Sequence, residues 1–272
     1  MTIHPAAVID KKAELDSSVE VGPYAVIGAD VKIGAGTKIE PHAVVSGPST
    51  IGERNLIGSF ATVGGAPQDR SYKGEATGLI IGNDNKIREY ASIHRGTVDG
   101  NGETVIGNGN LLMAYIHVAH DCIIGNHVVM ANVATLAGHV QVDDYASLGG
   151  LVAVHQFCRI GSYSYVGGIS GLSLDIAPYV IVAGTRNRTR VSGINKIGLR
   201  RNGFSRETIG KLDLAFRIIY CSPELLLKDA LLKVRQEIPD CDEVEHMVRF
   251  FENSARGVVR RISRGKQNGN GI

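Results

Sequence analysis

The chain has 272 residues, 43% of them hydrophobic, which supplies material for a substantial core and excludes a wholly disordered polymer. Its 29 basic and 27 acidic residues leave a net charge of +2, so no global field demands a nucleic acid or an anionic membrane, and any basic site has to be local. The 34 glycines are about 12% of the chain, above the roughly 7% of average usage, yet they follow no collagen triplet, so they are expected to serve regular turns.

The opening residues, MTIHPAAVIDKKAEL, lack the charged segment, apolar run and cleavage site of a secretory signal. No stretch approaches the ~20 apolar residues of a membrane span. The expectation is a cytoplasmic protein without stable membrane insertion. A period of six then takes over. Ile3, Ile9, Leu15, Val21, Ile27, Ile33, Ile39, Val45, Ile51, Ile57 and Val63 stand in unbroken register, which returns at Ile81, Ile87 and Ile93 and again every sixth residue from Ile106 to Leu172. Period six fits neither a 3.6-residue helix nor a simple alternating strand, but it suits short strands joined by tight turns, each pointing one aliphatic side chain inward. Glycine often follows directly, as at Gly22, Gly28 and Gly34, and small or permissive residues are expected to form the corners. Each buried Val, Leu or Ile contributes roughly 1.5 to 3 kcal/mol, and stacked coils join these side chains into one continuous core.

Residues 1–192 are therefore expected to form a mainly β solenoid. Its spacing resembles the hexapeptide-repeat family, whose fold is a left-handed parallel β-helix with three hexads per coil. The handedness rests on that resemblance, because general rules favour right-handed crossovers. Two segments break the register, GGAPQDRSYKGEATG within 64–79 and TVDGNGET at 97–104, and both read as protruding loops suited to partner contacts. Beyond the hexads, residues 193–272 read as a small α-helical C-terminal domain. Ser205 caps a helix to about Ile219, Ser222 with Pro223 and Glu224 starts a second to about Glu237, and a third runs from Asp242 to Arg261. The tail, SRGKQNGNGI, is expected to be disordered. Cys122, Cys158, Cys221 and Cys241 have neither zinc nor disulfide spacing and read as buried free thiols.

Histidine carries the chemical signal: His117, His120, His127, His139 and His155 fall within 39 positions. With three hexads per coil, His120, Gly138 and Gln156 stack in one column at about 4.8 Å per step. An imidazole then lies beside a glycine amide, and Asp121 is placed to orient it. A base next to an N–H donor suits acyl transfer: the imidazole takes a proton from an attacking hydroxyl and the amide stabilises the oxyanion. No nucleophile is evident, so direct transfer is the simpler scheme. The residues alone also admit hydrogen-bonded turn histidines on a non-catalytic β-helix. A zinc held by three imidazoles between subunits, as in hexapeptide-repeat carbonic anhydrases, is a further reading.

The segment LLMAYIHVAHDCIIGN, with QDRSYKGE and IHRGT before it and ATLAGHV, AVHQFC and LRRNGFSRE after it, resembles the UDP-N-acetylglucosamine acyltransferase family over nearly the whole chain. The resemblance implies transfer of an (R)-3-hydroxyacyl group from acyl carrier protein to the glucosamine 3-hydroxyl of UDP-N-acetylglucosamine, the first step of lipid A synthesis, by a homotrimer with clefts between subunits. It implies His120 as general base, Asp121 as its support and Gly138 as oxyanion donor. Gln68 and Asp69 on the first loop would bind substrate, His117, His139, His155 and Gln156 would line the sugar and acyl region, and Gly168 would leave room for a long chain. Asn195 and Arg201 would contact the nucleotide. No cofactor or metal is implied, since phosphopantetheine arrives with the carrier. Arg186, Arg188, Arg190, Lys196, Arg200, Arg201 and Arg206 form a stretch without an acidic residue, which fits a diphosphate and an acidic carrier. The chain departs from the family pattern at Ser71, usually basic, and at Ile197 and Asn202, usually glutamate and arginine. The alternative within the same fold is an acetyl-CoA-dependent transferase, separated from this reading by donor choice.

Overall fold

The structure, a computed structural model, describes residues 2–185 and 188–262. Arg186 of the basic stretch and the tail at 263–272 lie outside the described residues. Short parallel strands run from Thr2–Ile3 to Val180–Ala183 and, with one later antiparallel strand in the first, build three sheets of eleven, nine and eight strands among the described residues. Ile3 pairs with Val21, Ile9 with Ile27 and Leu15 with Ile33, so each coil returns after eighteen residues. The chain visits the first, second and third sheets in turn, giving a three-sided left-handed parallel β-helix. Every hexad residue from Val21 to Leu172 is at most 3% exposed, whereas Ile3 at the open end is 39% exposed. The step widens to thirty between Ile57 and Ile87 and to twenty-five between Ile87 and Leu112, and the hexads resume in register on the far side. Both insertions therefore leave the same corner, between the second and third sheets.

The corners are not built as the glycine pattern suggested. The left-handed backbone falls three residues after the inward aliphatic and is occupied by Tyr24, His42, Phe60, Tyr90, Tyr115, Asp121, His139 and similar side chains, with φ near 60°. The glycines that directly follow the aliphatic residue serve close approach instead: a Cβ on Gly34 would sit 2.8 Å from the Gly52 carbonyl carbon of the next coil. Left-handed geometry is costly for residues with a Cβ, roughly 1 to 2 kcal/mol each, and stacking offsets it. At the corner between the first and second sheets, Tyr24, His42, Phe60, Tyr90 and Tyr115 form a ladder with ring centroids 4.8–5.1 Å apart. At the corner between the third and first sheets, His127, Tyr145, Tyr163 and Tyr179 do the same at 4.7–5.9 Å.

The strand Arg190–Ile194 returns antiparallel along Val180–Ala183 and closes the first sheet. Four helices follow among the described residues, α1 (Lys196–Arg201), α2 (Arg206–Cys221), α3 (Leu227–Glu237) and α4 (Asp242–Glu252). Ser205 caps α2 as expected, its hydroxyl accepting from Thr208 N at 2.9 Å. Two boundaries differ from expectation. Ser222 ends α2 rather than starting α3, because a residue before proline is disfavoured in helical geometry. Pro223 and Glu224 form a turn, and α3 begins after Leu226. The last helix stops at Glu252, well short of Arg261, because Val258 and Ile262 leave helical geometry to bridge Asp175 and Val191 on the solenoid. The four cysteines are free, but only Cys122 and Cys158 are buried; Cys221, in the last turn of α2, is exposed. No helix among the described residues is long and apolar enough to cross a membrane.

Candidate active site

The eighteen-residue register sets His120, Gly138 and Gln156 on successive coils at the corner from which both insertions depart. The contact between the first two is close: a Cβ at Gly138 would stand 2.5 Å from Cε1 and 2.7 Å from Nε2 of His120. Only glycine leaves the imidazole its place, and the Gly138 N–H donates to no acceptor among the described residues. His120 is mostly buried and its Nδ1 lies 2.8 Å from Oδ2 of the fully buried Asp121.

Asp121 is held by more than the histidine. Its oxygens accept from Thr97 N at 3.0 and 3.1 Å, from Thr97 Oγ1 at 2.7 Å and from Asn101 N at 2.9 Å. Burial by itself pushes this carboxyl upward, but the bonds from Thr97, His120 and Asn101 outweigh it and hold it below its ordinary value. An ionised carboxylate only accepts, so Nδ1 of His120 carries the hydrogen, and in the neutral ring the lone pair is then on Nε2. That is the tautomer of a general base.

Around this pair the structure gathers three more imidazoles. His139 meets His120 edge to face at 5.1 Å and stacks on Phe157 at 4.4 Å. His117 Nδ1 lies 2.7 Å from Ser92 Oγ, and its ring meets His94 at 5.2 Å. Burial is the main reason that His94, His117 and His139 all titrate below the ordinary imidazole value. Ligand atoms of His120, Asp121 and His139 lie within 4.8 Å of one another, a spacing a divalent ion would span. Both Asp121 oxygens are already engaged with four donor groups, which favours its part in orienting the imidazole.

Both insertions fold back onto this corner. The first carries Gln68, exposed, and Asp69, half-buried, whose carboxylate accepts from Ser71 N at 2.8 Å and Ser71 Oγ at 2.9 Å. Those two bonds lower the Asp69 carboxyl, helped by its electrostatic contact with His120 and His139. The residue that departs from the family pattern therefore fixes the aspartate from within the loop. Arg95 anchors the loop from below, a role sequence reasoning missed although IHRGT stood out as a motif. Its buried guanidinium donates to the Gly47 and Gly64 carbonyls at 2.9 and 2.6 Å and to the Tyr72 hydroxyl at 3.1 Å. The second insertion was expected to protrude; Val98 and Asp99 do, but Thr97 and Thr104 are buried against Asp121 because that carboxylate and its backbone N–H need partners.

The remaining candidates do not converge within one chain. His155 and Gln156 are exposed one coil beyond Gly138. Gly168 lies at the corner between the first and second sheets, exposed, stacked on Gly150. Asn195 sits at the third corner, where its amide caps α1 by accepting from Gly198 N at 3.1 Å and donates to Tyr163 O at 2.9 Å. Arg201 is exposed at the end of α1, while Lys196 from the basic stretch is paired with Asp213 at 2.8 Å.

Comparison with known proteins decides the family. A curated acyl-(acyl-carrier-protein) UDP-N-acetylglucosamine O-acyltransferase from Thermodesulfovibrio yellowstonii is 51% identical over 258 residues, 95% of this chain and 99% of the relative. The chain belongs to the UDP-N-acetylglucosamine O-acyltransferase family. The relative from Trichlorobacter lovleyi is 53% identical over 96% of this chain and 100% of its own length. The family model described as "Udp N-acetylglucosamine O-acyltransferase; Domain 2" matches residues 175–259, and the bacterial transferase hexapeptide model matches 30–65 and 103–138. Among solved UDP-N-acetylglucosamine O-acyltransferase structures, that from Moraxella catarrhalis superposes with a TM-score of 0.91 at 44% identity, covering 96% of this chain and 100% of that one. The structure from Bacteroides fragilis gives 0.92 at 44%, covering 95% and 100%. UDP-N-acetylglucosamine O-acyltransferase membership thus extends over both the solenoid and the helices.

Proposed function

We propose that the protein transfers an (R)-3-hydroxyacyl group from acyl carrier protein to the 3-hydroxyl of the glucosamine of UDP-N-acetylglucosamine, the opening step of lipid A synthesis. The observation that carries the reading is the His120 geometry: Nδ1 lies 2.8 Å from Oδ2 of Asp121, which leaves Nε2 on the side of the ring packed against Gly138. Nε2 takes the proton of the acceptor hydroxyl as its oxygen attacks the thioester carbonyl. The Gly138 N–H stabilises the resulting oxyanion, and collapse expels the phosphopantetheine thiolate, which recovers the proton from the imidazolium. No residue is acylated.

Gln68, Asp69, His117, His139, His155 and Gln156 line the sugar and acyl region in this reading, Gly168 leaves room for the end of the chain, and Asn195 and Arg201 face the nucleotide. Because these residues occupy three different corners of the prism, one protomer cannot bring them together. Adjacent copies can, which supports a homotrimer with clefts between subunits; the cytoplasm is the location that goes with this reading. The exposed Arg188, Arg200, Arg201 and Arg206 suit an acidic carrier protein.

Transfer of labelled 3-hydroxyacyl groups of several lengths from acyl carrier protein tests the reading, with UDP-N-acetylglucosamine and its 3-amino analogue as acceptors. General-base loss is typically worth roughly 10² to 10⁴ in rate, so His120→Ala is expected to lose that factor while keeping its melting temperature. Equal use of free acyl-CoA, or turnover undiminished in His120→Ala, would sink it.

A further inference from the structure

The second insertion breaks the hexad register by seven residues and spends them on one carboxylate. Thr97 presents both its backbone N–H and its hydroxyl to Asp121, and Asn101 adds its N–H. The same segment holds the backbone of the corner: Thr104 Oγ1 accepts from Asp121 N at 2.8 Å and Asn101 Nδ2 donates to Asp121 O at 3.3 Å. Asp121 needs that hold, because its φ of 60° places it in the left-handed region. The turn between the two donors closes through Gly100 N and Gly102 N, which both donate to Thr97 O at 3.2 and 3.0 Å. A Cβ on Gly100 would collide with the Asp121 carboxylate itself. Thr97 is buried, and both its N–H and its hydroxyl go to Asp121 rather than to a ligand.

We propose that Thr97 and Asn101 are positioning residues for the reaction: the insertion holds the Asp121 carboxylate against Nδ1 of His120, so that Nε2 remains the acceptor aimed at the substrate hydroxyl. This rests on His120 being the base. An ionised carboxylate beside an imidazole favours its charged form. Loosening it therefore makes the base harder to protonate and its orientation less defined. The other ionisable groups that interact with His120 are Asp69, His94, His117 and His139. None of them contacts Thr97 or Gly100 in a hydrogen bond, so changes at the cage leave them in place.

The test compares full-length Thr97→Val, Thr97→Ser, Gly100→Ala and His120→Ala, each checked for a cooperative melt. Thr97→Val keeps the shape and removes the hydroxyl; it is expected to lower kcat about tenfold, as loss of one charge-assisted hydrogen bond would, with both KM values within about twofold. The acidic limb of the kcat/KM profile, which reports protonation of the free enzyme's base, is expected to move to lower pH. Thr97→Ser should restore both. Gly100→Ala, at an exposed turn whose backbone accepts alanine, pushes the carboxylate directly and should reproduce the Thr97→Val profile even if that variant folds poorly. A folded Thr97→Val or Gly100→Ala with unchanged kcat and an unmoved acidic limb would overturn the positioning role while an inactive His120→Ala left the base intact. Turnover surviving in His120→Ala would instead overturn the base, and this proposal with it.

Discussion

His94, His117 and His139 are imidazoles that folding makes harder to charge, and the consequence is a pH dependence of stability with a definite sign. Each titrates at 6.5 without the fold and below that within it, burial being the first cause. As pH falls the unfolded chain takes up these protons first, so the stability is intact above about 6.5 and is lost as pH falls through the folded-state values. Urea midpoints between pH 7.5 and 5 should fall on acidification, and His117→Asn should flatten the slope. A midpoint rising over that range would contradict the buried, neutral assignment. Arg95 makes a second residue-level prediction. Arg95→Leu leaves two carbonyls unpaired under the first insertion, which should cost about 1 to 3 kcal/mol in urea unfolding and raise KM for the nucleotide sugar through the loop bearing Gln68 and Asp69. The His120–Gly138–Gln156 column was legible in the sequence because, once the hexapeptide-repeat resemblance supplies three hexads per coil, residues eighteen apart stack. Thr97, Asn101 and Arg95 were not, because an insertion outside the register carries no arithmetic that says which corner it folds back upon.

At the scale of elements, the hexads announced themselves because each coil has room for few inward side chains and any polar substitute would be buried. The helices were less legible. A serine followed by proline can start a helix or end one; here the proline stops α2, whose Leu212, Ile219 and Tyr220 are buried up to that point. A paired substitution checks this boundary. Ser205→Ala removes a cap whose hydroxyl accepts from Thr208 N and should cost about 1 kcal/mol, whereas Ser222→Ala should stay within about 0.5 kcal/mol. Equal costs at both positions would restore Ser222 as an N-cap. The αL corner residues were missed for a related reason: glycine is the usual mark of positive φ, and here aromatic stacking along the corner supports it instead.

At the scale of the whole molecule, the separation of the candidate site residues onto three corners makes a prediction about mixtures. If each cleft takes His120 from one copy and Arg201 from the next, then protein reassembled from equal amounts of His120→Ala and Arg201→Ala chains should recover about a quarter of wild-type turnover, since that share of clefts draws both native residues. Mixtures no more active than the separate variants would mean that each cleft is built from one chain.

The parallel register has a mechanical corollary. A molecule in which each coil hydrogen-bonds only to its neighbours, and whose first coil leaves Ile3 partly exposed, should peel from its N-terminus under tension rather than rupture as a block. Eighteen residues released per coil correspond to contour increments of roughly 60 Å, lengthening to roughly 100 Å and 85 Å where the two insertions are drawn out. A force-extension trace would then read the hexad register directly as a ladder of steps, with the two long rungs marking the coils that carry the insertions.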